Sequence, residues 1–188
     1  LLALSQSLNP EDDKIEAFKK ILTDKGRLDK NKSLVFTTFR HTLSYLAAHT
    51  AKTDLRFGVV HGGIPDDERA NLRRRFALAK ESSEAIDVLL SSEVGCEGLD
   101  FQFCSTLVNY DLPWNPMDLE QRIGRIHRYG QKHTAQVFNL VLSDTIEGKI
   151  FLLLDDKLKE IAKALGKVDE KGEVAEDLRT QILGQLSE

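Results

Sequence analysis

Short apolar runs alternate along this chain with segments of helical periodicity, and this alternation constrains the fold more than any other feature. The apolar runs, which are rich in branched and aromatic side chains as β-strands are, span residues 33–37, 56–60, 86–90, 106–110 and 135–142. Helical spacing of apolar residues predicts helices over residues 14–22, 41–50 and 66–80, and a loop with a helix over residues 113–129. Strands and helices in this order form a parallel sheet covered on both faces. The sequence therefore predicts an α/β fold, an open parallel sheet with helices on both faces.

The chain is long enough for one domain with an appendage. Its 188 residues carry 26 basic and 30 acidic side chains, which gives a net charge of −4. Beyond residue 142 the pattern becomes helical, and this tail holds 11 acids and 7 bases, so that it accounts for the whole net charge. We therefore divide the chain into a sheet-containing domain, residues 1–142, which is neutral, and a helical extension, residues 143–188.

Several kinds of protein are disfavoured by what the sequence lacks. It contains no run of about 18 apolar residues and no signal peptide pattern, which predicts a cytoplasmic protein without a membrane partner. Cys96 and Cys104 form no CxxC pair, and the five histidines show no metal-ligand spacing, so neither a disulfide framework nor a metal site is expected. The chain begins at Leu1 and its single methionine is Met117, which predicts that it is part of a longer protein.

The densest set of chemistry-bearing residues lies in the segment NPMDLEQRIGRIHRYGQ. If the helix continues through this segment, Gln121, Arg125 and Arg128 follow at i, i+4 and i+7 and project from one face. Arg122 has Asp118 as a partner four residues earlier, whereas no carboxylate stands at the equivalent position before Arg125 or Arg128. The spacing thus leaves two arginines on one helix face without a compensating acid in their own helix.

Two interpretations of these arginines stay open at this point. A guanidinium matches phosphate oxygens with a planar fork of N–H groups, so Arg125 and Arg128 could form a phosphate clamp. Alternatively, both could be solvated or paired with acids elsewhere in the fold. Gly124 favours close approach by another backbone, because a glycine inside a helix costs about 1 kcal/mol.

A second candidate site is the segment LLSSEVGCEGLDFQF, which directly follows a predicted strand. Ser91 and Ser92 lie where the carboxyl end of that strand meets its loop, the usual ligand side of an open α/β sheet. Gly95 and Gly98 leave the backbone accessible, and Asp100 offers a carboxylate suited to a ribose hydroxyl. A turn with capping serines is the alternative interpretation.

Two further features lie in predicted loops. His61, Gly62 and Gly63 follow a strand and precede a helix with several arginines, and a helix N-terminus beside glycines is a ready anion site. A tight turn beside solvated arginines is the alternative. Trp114, the single tryptophan, is either a core anchor or a stacking platform for a nucleobase.

Taken together, these segments resemble the second RecA-like lobe of a superfamily 2 helicase-type ATPase. The resemblance is narrower to the Snf2 (SWI/SNF-like) group, and within it to the bacterial RapA-like branch, and it covers residues 14–142. SLVFTTF resembles motif IV of the group, RFGVVHGGIPDDER the segment after it, LLSSEVGCEGLDF motif V, YDLPWNP the Trp segment and QRIGRIHRYGQ motif VI. Motif VI, with its closing Arg-x-Gly-Gln beside the Trp segment, is the most specific of these matches.

The resemblance implies a role for each matching residue. Arg125 and Arg128 correspond to arginine fingers, which reach the γ-phosphate of ATP across the cleft between two lobes, and Gln121 lines that cleft. Gly98 and Asp100 contact the nucleotide or couple it to the nucleic-acid surface. The other matching residues approach the nucleic-acid backbone or lie near its groove, and they are Thr37, His61, Gly62, Ser91, Ser92 and Trp114.

The chain also departs from the family pattern in two ways. Many Snf2 relatives carry glycine-rich, less acidic residues near the positions of Glu93 and Glu97, so acids here are expected to weaken local contacts with a nucleic-acid backbone. The phosphate loop GxxxxGK[ST] is absent from this chain. The resemblance therefore implies that ATP with Mg²⁺ is bound mainly by a first lobe that this chain does not contain.

The function that follows is an expectation for a longer parent protein. We expect an ATP-dependent translocase or helicase of the Snf2 type, acting on duplex DNA in preference to RNA, to which this chain contributes arginine fingers and backbone contacts. By itself the chain should be inactive; its partners would be the first lobe and DNA, with a remodelled protein left open. The alternatives are a catalytically silent nucleic-acid-binding or protein-interaction module of the same fold, and an α/β domain that binds a small phosphorylated ligand.

Overall fold

The computed structural model of the chain describes most of the predicted domain. It covers residues 13–28, 31–96, 98–113, 116–126 and 135–142, together with Thr145, Ile146, Gly148, Lys149 and Phe151. The helices and strands in this part of the chain are α1 (Asp13–Gly26), β1 (Ser33–Phe36), α2 (Arg40–Thr50), β2 (Phe57–Val60), α3 (Asp66–Ala77), β3 (Val88–Ser91), β4 (Thr106–Asn109), α4 (Pro116–Gly124) and β5 (Gln136–Asn139), with a 3₁₀ turn at Val94–Cys96 after β3. Each predicted strand and helix of the domain is confirmed, with ends that differ by a few residues.

The five strands form one sheet in the order β2-β3-β1-β4-β5, and every pairing between them is parallel. β1 lies at the centre, where Phe36 pairs with Ser91 of β3 on one side and with Asn109 of β4 on the other. Because the three central strands share this register, the segments that follow them leave the sheet at the same edge. The predicted open parallel sheet is confirmed, and its carboxyl edge brings three strand ends together.

Alternate residues of the central strands point to opposite faces of the sheet and build two cores. On one face, Leu34 of β1 packs in a cluster with Phe76 of α3, and Ile123 of α4 lies against the same cluster. On the other face, Val35 of β1 packs in a cluster with Phe18 of α1 and with side chains of α2. Full burial of such a side chain stabilises the fold by about 1.5–3 kcal/mol. The predicted cover of helices on both faces is confirmed.

Three aromatic rings hold the loop after β3 against α3. Phe76 packs edge-to-face against Phe101 and Phe103, with ring centroids 5.8 Å and 5.4 Å apart. Pairs of this geometry contribute about 0.5–1.5 kcal/mol beyond the area that they bury. They fix the loop that carries Gly98 and Asp100, two of the predicted site residues, beside the helix.

At the amino edge of the sheet, a buried carboxylate joins the starts of three strands. Asp87, which precedes β3, accepts hydrogen bonds from Nε and Nη2 of Arg56 at 2.8 Å and from the amide of Asn31 at 2.6 Å, and Nζ of Lys32 lies 3.9 Å away. Burial alone would raise the pKa of Asp87, but the hydrogen bonds and charge of Arg56 lower that pKa below its usual value. Burial lowers the pKa of Lys32. This cluster lies at the end of the sheet opposite the predicted site.

Some predictions fall outside the described residues. The helical extension is almost wholly in this category, so the division of the chain at residue 142 stays a prediction. Glu97, Trp114 and Arg128 also lie outside the described ranges. None of the helices that the structure describes combines the length and the apolar composition that crossing a bilayer requires.

Candidate functional site

The end of β1, the segment after β3 and helix α4 meet at the carboxyl edge of the sheet around an open cleft of about 110 Å³. Its lining combines an aromatic ring, two carboxylates, an amide and two guanidinium groups, from Phe36, Glu93, Asp118, Gln121, Arg122 and Arg125. The edge that the sequence predicts as the ligand side therefore carries a polar cleft. The structure brings two of the predicted site residues, Gln121 and Arg125, together in its lining.

Arg125 lies just beyond the end of α4, in a turn that the loop after β3 holds in place. α4 ends at Gly124, and the Arg125 N–H donates to the carbonyl of Arg122 at 3.1 Å. The Arg125 carbonyl accepts a hydrogen bond from the Phe101 N–H at 2.9 Å, and Nη1 of Arg125 donates to the Leu99 carbonyl at 3.2 Å. The prediction that the helix continues through Arg125 is wrong, because contacts with the loop replace helical bonding after a glycine of low helix propensity.

The half-buried guanidinium of Arg125 lines the cleft without a compensating acid. Within the described ranges no carboxylate lies at ion-pair distance from it, whereas Arg56, Arg69 and Arg122 each have such a partner. The sequence predicts that Arg125 lacks an acid partner in its own helix, and in the described part of the fold it lacks one altogether. Gln121 is exposed one turn earlier on α4.

Arg122 is the buried arginine of the site, with 2% of its side chain exposed. Its Nη2 donates to Glu93 at 2.6 Å and to the Thr38 hydroxyl at 3.2 Å, and its Nη1 donates to the Asn109 side chain at 3.1 Å and to the Asp111 carbonyl at 2.8 Å. Oδ1 of Asp111 lies 3.8 Å from Nη2. One guanidinium thus joins α4 to the segments that follow β1, β3 and β4. Glu93 and Asp111, the acids that pair with it here, come from two of those segments rather than from its own helix.

The spacing around α4 explains why this arginine is buried. Leu119, Arg122 and Ile126 follow at i, i+3 and i+7, and all three are buried. The guanidinium carbon lies 5.3 Å from the ring centre of Phe36, at cation–π distance. Sequence reasoning missed Arg122 as a site residue, although an arginine between apolar positions at helical spacing is a signal that could have found it.

Asp111 organises the segment that follows β1. Its Oδ1 accepts hydrogen bonds from the N–H and the hydroxyl of Thr38, each at 2.8 Å, and its Oδ2 accepts one from the hydroxyl of Thr37. Asn109, at the end of β4, donates from its amide to Asn139 at 2.7 Å. Sequence reasoning missed Thr38, Asn109 and Asp111, and the available signal was that polar residues follow neighbouring buried strands at one edge.

The loop after β3 brings the residues predicted to contact a nucleotide close to Arg125. Gly98 is exposed and has a φ of 74°, a backbone conformation that residues other than glycine rarely adopt. The Asp100 carboxylate accepts a hydrogen bond from the Gln102 N–H at 3.1 Å. Because Leu99 lies between these two residues and accepts from Arg125, the structure joins Gly98, Asp100 and Arg125 in one corner of the site.

The residues predicted to contact a nucleic-acid backbone divide into a buried and an accessible group. Thr37, Ser91 and Ser92 are buried, and their hydroxyls bond within the fold. His61 is half-buried and Gly62 is exposed. Of these five residues, only His61 and Gly62 present surface that a nucleic-acid strand could reach without rearrangement of the fold.

The two serines serve the turn after β3, as the alternative interpretation of the sequence has it. Oγ of Ser91 lies 2.6 Å from the Ser92 carbonyl and 2.8 Å from Sγ of Cys96, and Oγ of Ser92 accepts from the Gly95 N–H at 3.3 Å. Burial raises the pKa of Cys96 to about 12, so this thiol is neutral at physiological pH. The serine hydroxyls therefore have partners before any ligand binds.

Gly95 is required by close packing rather than by access to a ligand. A Cβ on Gly95 would lie 2.6 Å from the Val60 carbonyl oxygen and 2.8 Å from the Cα of His61. The prediction that Gly95 leaves the backbone accessible is wrong, because the residue is buried and its missing side chain lets the 3₁₀ turn pack against the end of β2. A Cβ on Gly124, by contrast, would meet nothing within 4 Å in the described part of the chain.

Comparison with known proteins agrees with this geometry. The model of the family described as helicase conserved C-terminal domain matches residues 13–130. The chain belongs to this family. The matched range contains α1 to α4 and every residue that lines the cleft, so the site described above is part of the helicase C-terminal domain itself.

Two curated relatives support the same assignment. The chain is 36% identical over 140 residues to the uncharacterized ATP-dependent helicase YqhH of Bacillus subtilis (strain 168), which covers 74% of this chain and 24% of that protein. It is 44% identical over 93 residues to the RNA polymerase-associated protein RapA of Serratia proteamaculans (strain 568), which covers 50% of this chain and 9% of that protein. The resemblance to a RapA-like helicase lobe is confirmed, and the chain spans 24% or less of the length of these relatives.

A solved structure gives the same result for the fold. The crystal structure of the C-terminal part of the Fun30 ATPase domain matches with a TM-score of 0.65 and 28% identity, covering 74% of this chain and 44% of that one. The RecA-like architecture that the sequence resemblance implies is therefore confirmed for the helicase C-terminal domain.

The side chains of the site differ in how well they suit the groups that the resemblance implies. Phosphate oxygens find a fitting donor in Arg125, whose charge is uncompensated in the described part of the fold. The described ranges contain no cluster of three histidine, cysteine, aspartate or glutamate side chains that could hold a metal ion.

Proposed function

We propose that this chain is the second RecA-like lobe of a nucleic-acid-dependent ATPase of the Snf2 type, in which Arg125 serves as an arginine finger. The observation that carries the proposal is the Arg125 guanidinium, which lines an open cleft and has no acid partner among the described residues. Arg122, three residues earlier, is compensated by two acids. The contrast supports a structural role for Arg122 and a ligand-binding role for Arg125.

The surroundings of Arg125 suit the stabilisation of a transferring phosphoryl group. An arginine finger meets the negative charge that develops on that group and contributes a factor of about 10³–10⁵ in rate. Nη1 of Arg125 donates to the Leu99 carbonyl, and the Arg125 carbonyl accepts from the Phe101 N–H. Because these bonds already restrict the Arg125 side chain and backbone, Arg125 loses less conformational freedom when phosphate binds. A guanidinium has five N–H donors, and its bond to Leu99 uses one of them. On the sequence alone, we propose that Arg128 acts with Arg125.

The remainder of the ATP site belongs, in this proposal, to a first lobe in a longer protein. This chain has no GxxxxGK[ST] phosphate loop. Bound ATP with Mg²⁺ supplies the reacting phosphoryl group and part of the charge neutralisation. Gln121 and Arg125 of this chain close the cleft around the nucleotide, and the loop of Gly98 and Asp100 contacts it. We expect the isolated chain to hydrolyse no ATP.

Duplex DNA is the nucleic acid that we propose for the longer protein. The His61–Gly62 turn is accessible at the same edge of the sheet as the cleft, and the Gly63 N–H donates to Nδ1 of His61 at 3.1 Å, which orients the ring. YqhH is named as an ATP-dependent helicase, which supports ATP use. RapA is named as an RNA polymerase-associated protein, which supports a protein among the partners of the longer protein.

The test uses the chain within its longer protein and measures ATP hydrolysis with and without duplex DNA. Arg125→Ala should lower kcat of the stimulated reaction by a factor of about 10³ or more, while ATP binding is retained because the first lobe provides most of the contacts. Arg74→Ala is the matched control. Arg74, on the surface of α3, is paired with Glu84 and does not line the cleft. Removing the Arg74 side chain should therefore leave turnover unchanged.

Three results would count against this proposal. Wild-type turnover in the Arg125→Ala variant would overturn the arginine-finger assignment. Hydrolysis by the purified 188-residue chain, abolished by Arg125→Ala, would overturn the division of the site between two lobes. A longer protein that binds DNA but hydrolyses no ATP would favour the catalytically silent module.

A further inference from the structure

We propose that Asp111 is a positioning residue that couples nucleic-acid binding to the helix preceding Arg125. The inference rests on the proposed function and adds to it a residue outside the cleft lining. It starts from the hydrogen bonds that Asp111 accepts from Thr37 and Thr38, and from the Arg122 guanidinium beside it.

The hydroxyl of Thr38 bridges the acid and the arginine. It donates to Oδ1 of Asp111 at 2.8 Å and accepts from Nη2 of Arg122 at 3.2 Å. A hydroxyl has one hydrogen and two lone pairs, so both bonds form together. The hydrogen bonds therefore run without a gap from the segment after β1, through Thr38 and Asp111, to α4.

The Thr38 segment also reaches the turn that we propose to contact DNA. Nη2 of Arg40, two residues after Thr38, lies 3.8 Å from the position that a Cβ on Gly63 would occupy. The exposed side chain of Arg40, at the start of α2, therefore reaches the turn of His61 and Gly63. In our proposal, a nucleic-acid strand that displaces this turn acts through Arg40 on the segment after β1.

Arg122 makes the connection to α4 stiff. Its guanidinium is planar and its N–H groups form a fixed fork, and its bonds to Glu93 and Asn109 set the orientation of that fork. A displacement of Thr38 is therefore passed to α4 rather than absorbed by a flexible side chain. Gln121 immediately precedes Arg122 on this helix, and Arg125 lies just beyond the end of the helix.

The network also has a donor that the present arrangement does not use. Nε of Arg122 is buried and has no hydrogen-bond partner among the described residues. Buried polar groups are nearly always paired, so Arg122 has one bond still to gain. In the proposed coupling, a shift of the segment after β1 brings the fork into an arrangement that satisfies Nε. Coupling between two sites requires an element with two discrete arrangements, and the Arg122 fork is that element in this proposal.

The experiment compares the longer protein with its Asp111→Asn variant. This substitution keeps the size of the side chain but removes its charge and one acceptor oxygen. The ratio of kcat with duplex DNA to kcat without it should fall about 10-fold, within the range typical of coupled sites. Basal kcat, the KM for ATP and the Kd for duplex should each change by less than about twofold, since Asp111 contacts neither ligand in this scheme.

Two further variants keep the test decisive if Asp111→Asn folds poorly. Thr38→Val removes the bridging hydroxyl but keeps the backbone bond to Asp111. It should therefore also lower the stimulation ratio, but by less than Asp111→Asn does. Asp87→Asn is the matched control, because Asp87, like Asp111, forms an ion pair with an arginine, but it lies at the amino edge of the sheet. It should lower stability and leave the stimulation ratio unchanged.

Full stimulation in both Asp111→Asn and Thr38→Val would overturn the inference. An equal loss of stimulation in Asp87→Asn would overturn it as well, because general destabilisation would then explain the result. A wild-type longer protein without duplex-stimulated hydrolysis would overturn the proposed function, and the inference with it. That last failure is recognised in the unmodified protein, before any variant is compared.

Discussion

Nη2 of Arg122 lies 2.6 Å from a carboxylate oxygen of Glu93, and this ion pair joins α4 to the segment after β3. By sequence, Glu93 departs from the Snf2 pattern, and an unpaired acid at this edge would repel phosphate. Because the acid is paired inside the fold, its charge compensates Arg122. The pair thereby leaves Arg125 as the uncompensated arginine of the described cleft.

Replacing Glu93 with alanine tests the strength of this pair. Breaking a buried ion pair costs about 3–5 kcal/mol, but the Glu93 side chain is 37% exposed and Asp111 still faces Arg122. We therefore expect the free energy of unfolding to fall by about 1–2 kcal/mol, measured by urea denaturation. Glu84→Ala, which removes the partner of the exposed Arg74, should cost less than about 0.5 kcal/mol. Equal losses in both variants would contradict the structural role of Glu93.

Asp87 should make the largest polar contribution to stability at the amino edge of the sheet. Asp87→Ala leaves Arg56 and the buried Lys32 without their acid, so we expect a loss of about 3–5 kcal/mol. Urea denaturation at neutral pH measures this loss. A loss below about 1 kcal/mol, the usual value for a surface pair, would show that solvent already screens the cluster.

The same carboxylate should make stability depend on pH in the acid range. Hydrogen bonds from Arg56, acting against burial, hold the pKa of Asp87 below its usual value. A lowered pKa means that its stabilisation is complete above the unfolded value of about 3.9 and is lost as the pH falls through the folded pKa. The difference in unfolding free energy between the wild type and Asp87→Asn should thus be constant near pH 7 and shrink below about pH 4. A difference that persists unchanged at the lowest pH would contradict this account.

Two glycine substitutions should have opposite effects. In Gly95→Ala the new Cβ would lie 2.6 Å from the Val60 carbonyl oxygen, and we expect a loss of about 1–3 kcal/mol or more from overpacking. In Gly124→Ala the Cβ meets nothing within 4 Å in the described part of the chain, so stability should rise by up to about 1 kcal/mol. Thermal unfolding of both variants checks the signs. An unchanged stability in Gly95→Ala would contradict the close packing of the 3₁₀ turn against β2.

Neither cysteine should react with thiol reagents in the folded chain. Burial raises the pKa of Cys96 and of Cys104 to about 12, so almost no thiolate is present at pH 8, and only the thiolate is the nucleophile. Alkylation by iodoacetamide should therefore become fast only in urea. Ser83→Cys, at an exposed position, should add one rapidly labelled thiol under native conditions. Fast native labelling of the unsubstituted chain would contradict the burial of both thiols.

Much of the site was predictable because its signals are local. Arg125 could be selected from the spacing of acids and bases within about seven residues. Gln121 lines the same cleft on this lobe, and its place in a cleft between two lobes stays a prediction. Ser91 and Ser92 were placed correctly at a strand end, but the direction of their hydroxyls depends on the turn that follows. The structure has those hydroxyls bonded within the fold.

The sequence by itself determined the helices, the strands and the parallel sheet, because each of these follows from periodicity over a few neighbouring residues. It could not determine which acids neutralise Arg122. Arg122 contacts Thr38 and Glu93, which lie 84 and 29 residues away in the chain, and only the strand order brings them together. Compensation of charge is a property of distances in space, so the tertiary structure alone decided that Arg122 pairs with Glu93 and Asp111 and that Arg125 has no acid partner among the described residues.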